Sequence, residues 1–156
     1  MFKHEIYFMR LALDLAQKGF GNVWPNPMVG AVIVKNSQII GKGFHSEYGK
    51  DHAEVAAIKS VIFPDSLLGS TMYVNLEPCC HYGNTPPCVN AIIAAGIGKV
   101  VIANIDYNPK VFCNGINILK SSGVEVDVGV LEEAGWELNE RFFKKYTIEI
   151  PSVLAI

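Results

Sequence analysis

Two residue runs carry the chemistry of this sequence: His52-Ala53-Glu54, and Glu77-Pro-Cys-Cys-His-Tyr-Gly-Asn-Thr-Pro-Pro-Cys88 further along the chain. Imidazole nitrogen and thiolate sulfur are donors that zinc takes readily, and a catalytic zinc site commonly uses three protein ligands and leaves the fourth position to water. His52, Cys79 and Cys88 supply such a set, with Glu54 placed to exchange protons with that water. Zinc lowers the pKa of its water toward about 7, so hydrolysis near neutral pH is the chemistry this spacing points to. Asp51-His-Ala-Glu54 also fits a capping box, in which Glu54 does no more than satisfy a backbone N–H at a helix start. A closed structural site would need a fourth protein ligand, for which Cys80 and His81 are the nearby candidates. Neighbouring residues of an extended chain point to opposite sides, so joint ligation by Cys79 and Cys80 would strain the loop, and an open site is expected.

Secondary-structure elements must bring these runs together. Ile6, Met9, Leu13 and Ala16 recur at helical spacing, with Gly19 and Gly21 after them as stop signals. Apolar stretches at 29–34 and 39–44 flank Asn36-Ser37-Gln38 in the pattern of a hairpin. A helix is expected over 51–62, with His52 and Glu54 in its first turn. Strand formers fill 71–76, and 86–96 reads as a helix with proline at its start and glycine after its end. The cysteine run therefore joins a strand to a helix, and Cys88 sits at the end of the helix where the dipole favours thiolate. Strands over 99–103 and 124–130, a helix over 115–120 and one long charged helix over 132–146 complete the pattern. The alternation of strand and helix beyond residue 52 predicts a mixed sheet covered by helices on its faces, with ligands at the carboxyl ends of the strands.

Composition narrows the function classes. A chain of 156 residues, half of them apolar, is about one domain in size and can build a proper core. Thirteen basic and fifteen acidic side chains give a net charge of −2, with no block of like charge, so nucleic-acid binding gets little support. The apolar runs are too short to cross a bilayer, and the N-terminus lacks the organisation of a signal peptide, so a cytoplasmic protein is expected. Four cysteines, three of them between positions 79 and 88 and close to histidine, suit a metal or catalytic site better than a disulfide framework.

The spacing His-x-Glu followed by Pro-Cys is the signature of the zinc nucleobase deaminases, although the second cysteine of that signature usually follows after two residues. Here it follows nine positions after the first, at Cys88. In this longer form the sequence resembles the deaminase domain of the bifunctional riboflavin-biosynthesis deaminase/reductases. Pro25-Asn-Pro-Met-Val-Gly30, Gly43-Phe-His45 and Asp106-Tyr-Asn-Pro109 extend the resemblance over about residues 5–150. It implies a three-layer α/β/α cytidine deaminase-like fold with a mixed sheet of about five strands. It implies Zn²⁺ on His52, Cys79 and Cys88, and Glu54 as proton shuttle in the hydrolytic deamination of a diaminopyrimidinone bearing a ribosylamino phosphate. Asn26, His45, Cys80, His81, Asn84, Asp106 and Asn108 match positions that line the family's substrate pocket. Two of these depart from the family pattern: Cys80 replaces the usual serine, and Asn84 stands where lysine or arginine is common, which leaves Lys50 or Lys110 to meet the phosphate. The deaminase unit is expected to span 1–147, and 148–156 to resemble the opening of a reductase domain that is missing. The expected partners are the small-molecule substrate, a second copy of the chain in a homo-oligomer and a separate reductase, with no nucleic acid and no membrane. Two alternatives stay open: another zinc deaminase acting on guanine, cytidine, deoxycytidylate or a transfer-RNA adenosine, and a non-catalytic zinc module.

Overall fold

The computed structural model describes residues 2–109 and 114–147, without the side chains of Phe2 and Thr147. Lys110 and the tail at 148–156 lie outside the described residues. Helix α1 (Phe2–Gln17) leads into a hairpin of β1 (Gly30–Lys35) and β2 (Gln38–Phe44). Asn36 and Ser37 turn that hairpin with φ of 51° and 64°, the left-handed pair a two-residue turn requires. Then come α2 (Ala53–Ser60), a short 3-10 turn (Pro64–Leu67), β3 (Thr71–Leu76), α3 (Cys88–Ala95) and β4 (Lys99–Asn104). The described chain closes with α4 (Asn114–Ser121), β5 (Glu125–Val128), α5 (Glu132–Leu138) and α6 (Glu140–Thr147).

The strands form one five-stranded sheet in the order β2-β1-β3-β4-β5. β1 runs antiparallel to both β2 and β3, while β3, β4 and β5 are parallel. The sheet is thus mixed, and each face carries its own apolar layer. Phe8, Met9, Ala12 and Leu13 of α1 pack with Val32, Tyr73, Val101 and residues of α5 on one face. Ala53, Ala57, Val89, Ile92, Ile116 and Leu119 from α2, α3 and α4 pack on Ile33, Met72, Val74 and Val100 on the other. This is the three-layer α/β/α arrangement expected. Gly43 lets α2 lie directly on β2, since a Cβ there would stand 2.5 Å from the Ala57 nitrogen. Among the described residues no helix is long and apolar enough to cross a membrane.

Three expectations need correction. Helix α2 begins at Ala53, and His52 is its N-cap in extended conformation, outside the first turn. The capping box does not form: the Asp51 carboxylate is taken by Lys59 at 2.7 Å, and no side chain caps the helix. The helix expected over 132–146 is two helices, broken at Asn139, whose buried side chain leaves the helix surface to hydrogen-bond elsewhere in the fold.

Candidate metal and substrate site

The cavity that matters opens at the carboxyl ends of β3 and β4, beside the start of α2. It has a volume of about 390 Å³ and is lined by residues from both expected motifs. His52 Nδ1, Cys79 Sγ and Cys88 Sγ all lie within 4.8 Å of one another. His52 Nδ1 is 3.3 Å from Cys88 Sγ and 3.6 Å from Cys79 Sγ. Zinc bond lengths place an N···S edge of a tetrahedron at roughly 3.6 Å, so the donor set has the chemistry and spacing of a zinc site. Glu54 is buried beside them, 3 % exposed, and its Oε1 is buried without a hydrogen-bond partner. Burial pushes the Glu54 carboxyl up to about 7, seconded by the negative charge of Cys79. A carboxyl poised there exchanges protons in both directions at neutral pH.

Each ligand is placed by backbone. Cys79 follows the end of β3, His52 caps α2, and Cys88 opens α3 behind Pro87. The amide of Cys88 donates to Cys79 Sγ at 3.2 Å, so the N-terminus of α3 favours thiolate at Cys79. The Cys88 thiol, and then His52, push Cys79 down to about 4. Cys88 itself is pushed up, by its bond to Cys79 and by burial. Two thiolates at this spacing repel, and the one that accepts the helix amide takes the charge.

The expected substrate contacts divide. His45 is buried and donates from Nδ1 to the Asp51 carbonyl at 3.0 Å, which leaves Nε2 to accept from the Asn26 amide at 3.1 Å. Burial lowers its pKa, keeping the ring neutral. Asp106 is buried, accepts the Asn108 N–H at 2.9 Å, and is pushed up to about 6 by desolvation. Asn26, His45, His81, Asn84, Asp106 and Asn108 all line the cavity. Cys80 does not: it packs against the apolar core, and burial raises its pKa. Lys50 reaches the cavity wall.

Several residues that shape this site were given no role by the sequence. Asn75, in β3, accepts the Gly30 N–H at 2.8 Å and donates to the Met28 carbonyl at 3.0 Å. Asn139 accepts the Met28 N–H at 2.8 Å and donates to the same carbonyl at 2.7 Å. The segment behind Asn26 is thereby clamped from two sides. Glu77 is buried and accepts the N–H groups of Asp106 and Ile116, both at 3.2 Å, tying the β4–α4 connection to the loop that carries Cys79. Gly115 permits that approach, since a Cβ there would stand 2.2 Å from the Pro78 carbonyl oxygen. Tyr146 of α6 accepts from Asn108 Nδ2 at 3.3 Å and joins Phe142 and Lys145 on the cavity wall. The i, i+3, i+4 spacing of Phe142, Lys145 and Tyr146 was the available signal, although nothing in it told a site face from a core face.

Residues 2–104 match the family model of the cytidine and deoxycytidylate deaminase zinc-binding region. Riboflavin biosynthesis protein RibD of Aquifex aeolicus is 50% identical over 146 residues, which cover 94% of this chain and 40% of that protein. The diaminohydroxyphosphoribosylamino-pyrimidine deaminase of Buchnera aphidicola subsp. Acyrthosiphon pisum is 45% identical over 148 residues, covering 95% of this chain and 99% of that one. A solved structure of Acinetobacter baumannii RibD superposes with a TM-score of 0.90 at 45% identity, covering 94% of this chain and 41% of that chain. This chain thus spans about two fifths of the longer relatives and almost all of the shorter one.

Proposed function

The chain belongs to the cytidine and deoxycytidylate deaminase zinc-binding family, within it to the riboflavin-biosynthesis deaminases, and on that premise we propose that it deaminates diaminohydroxyphosphoribosylaminopyrimidine. Water replaces the exocyclic amine of the pyrimidine with oxygen, and ammonia leaves. The observation that carries this reading is the buried Glu54 carboxylate, its Oε1 without a hydrogen-bond partner, beside the His52, Cys79 and Cys88 cluster.

His52, Cys79 and Cys88 are the residues that would hold Zn²⁺, and the bound ion supplies a Lewis acid that makes water a competent nucleophile near neutral pH. Glu54 takes one proton from the attacking water at Oε1 and gives it to the ring nitrogen, then takes the second proton, from the hydroxyl left on the carbon attacked, and gives it to the departing amine. Its pKa of about 7 leaves it able to accept and then to give. Neutral His45 holds the Asn26 amide, so Asn26 keeps its carbonyl oxygen free to accept from the substrate. Asp106 and Asn108 complete the lining of the cavity. A homo-oligomer and a separate reductase are carried forward as partners, to be tested by mass measurement in solution alone and in mixture.

The test is ammonia release by zinc-loaded protein on the diaminopyrimidine phosphate beside cytidine, deoxycytidylate and guanine. Turnover of the diaminopyrimidine alone is expected. Faster turnover of one of the others would move the chain to another branch of the family, and turnover of none would refute the enzyme reading.

A further inference from the structure

We propose that Lys145 of α6, together with Lys50 from the connection between β2 and α2, is the cationic seat for the phosphate of the substrate. This rests on the deaminase reading above and names how that site recognises its anionic end. Charge in the cavity is sorted by depth. Glu54, Glu77 and Asp106 are buried at the floor, whereas Lys50, Asn84 and Lys145 are exposed at the mouth. A phosphate cannot rest among the floor carboxylates, so the ligand enters with its amine end inward and its anionic end toward the mouth. Asn84 offers N–H donors there but no charge. Among the described residues, Lys50 and Lys145 are the cationic side chains of the wall.

Both lysines are available. Lys144 is occupied by Glu140 at 3.0 Å one turn back along the helix, and Asp51 beside Lys50 is occupied by Lys59 at 2.7 Å. Neither Lys50 nor Lys145 forms an ion pair with a described residue. Helix geometry turns Lys145, with Phe142 and Tyr146, to the cavity and leaves Lys144 to solvent. The Tyr146 hydroxyl, bonded to Asn108, fixes that face, and Lys145 Nζ lies 5.6 Å from the Tyr146 ring centre. A helix break at Asn139 thereby delivers a positive charge to a mouth whose own loop carries none at position 84.

Two measurements on zinc-loaded protein test this. In the first, ribose 5-phosphate is titrated calorimetrically against wild type, Lys145→Gln, Lys50→Gln and Lys144→Gln. In the second, KM and kcat are compared for the diaminopyrimidine substrate with and without its phosphate. Lys145→Gln is expected to weaken ribose 5-phosphate and raise KM for the phosphorylated substrate by about tenfold, the effect of one charge-assisted contact at an exposed position. Lys50→Gln acts in the same direction, kcat holds, the dephosphorylated substrate is unaffected, and Lys144→Gln matches wild type. Unchanged ribose 5-phosphate affinity in both Lys145→Gln and Lys50→Gln, or a KM rise equal for both substrates, would overturn the phosphate seat. Lysine-dependent binding of ribose 5-phosphate without any turnover would overturn the deaminase reading and leave the phosphate seat standing.

Discussion

Two stretches of chain face each other across the cavity and are held in opposite ways. The segment 26–30 is clamped by side chains buried in the fold, with Asn75 and Asn139 meeting the Met28 carbonyl and the N–H groups of Met28 and Gly30 at 2.7–3.0 Å. The loop 81–86 makes a single hydrogen bond among the described residues, Gly83 N–H to the Thr85 carbonyl at 3.2 Å, and leaves His81 Nδ1 and Thr85 Oγ1 buried without partners. Its order comes from its two ends, Cys79 and Cys88, where the amides of Val89 and Cys88 meet the Cys79 carbonyl and sulfur, each at 3.2 Å. One wall is part of the core, and the other is suspended from Cys79 and Cys88. The difference predicts that the clamped wall keeps its order by itself, whereas the suspended loop gains order when its ends are fixed and a ligand satisfies its polar atoms.

Stripping zinc with a chelator, or replacing Cys88 with serine, breaks the suspended side. Turnover is expected to fall by on the order of a thousandfold or more. Amide exchange should accelerate at 81–87 and stay slow at 28–30, and equal acceleration in both segments would erase the contrast. Asn139→Ala attacks the clamped side, leaving the part-buried Met28 N–H without a partner. A loss of about 3 kcal/mol in chemical denaturation and a rise in KM larger than the fall in kcat are expected. Unchanged stability would mean that Asn75 alone suffices.

Asp106, buried in the cavity lining, makes the stability depend on pH. Its folded pKa, about 6, lies above its unconstrained value of 3.8 because of burial. The folded state therefore binds the proton more tightly, and the stability this confers is complete below pH 4 and lost as pH rises through 6. Asp106→Asn should match wild type near pH 4 and exceed it by on the order of 2 kcal/mol above pH 7, in urea titrations at each pH. Coincident curves at every pH would contradict the raised value. The smallest effect is expected at Thr85→Val, which removes an unpartnered buried hydroxyl at nearly constant shape. Stability should stay level or rise by about 0.5 kcal/mol. A loss beyond about 1 kcal/mol would show that the hydroxyl has a partner and that the loop is better anchored than its hydrogen bonds indicate.

Much of this site was legible in the sequence because its chemistry is local. Zinc-type donors at His52, Cys79 and Cys88 announce themselves by type and spacing, and the strand at 71–76 and the proline-led helix after it place two of them without further information. The clamps were not legible, since an asparagine at 75 or 139 reads as a strand or helix residue until the fold brings it 45 or 111 positions along the chain to its partner. The helix expected over 132–146 breaks at the same residue: helical periodicity continues through Asn139, whose side chain is committed to Met28. Cys80 was misplaced for the opposite reason. Cys79 and His81 on either side of it line the cavity, and alternation along an extended backbone turns Cys80 to the core.

The most direct test of the account is the rate of ammonia release from the diaminopyrimidine phosphate by zinc-loaded Glu54→Gln protein. The glutamine keeps the shape of the site and cannot carry a proton between water and amine. A rate at least about a thousandfold below wild type, with zinc content and product affinity unchanged, is the predicted result. A Glu54→Gln rate within tenfold of wild type would contradict it, because the buried carboxylate would then have no part in the chemistry.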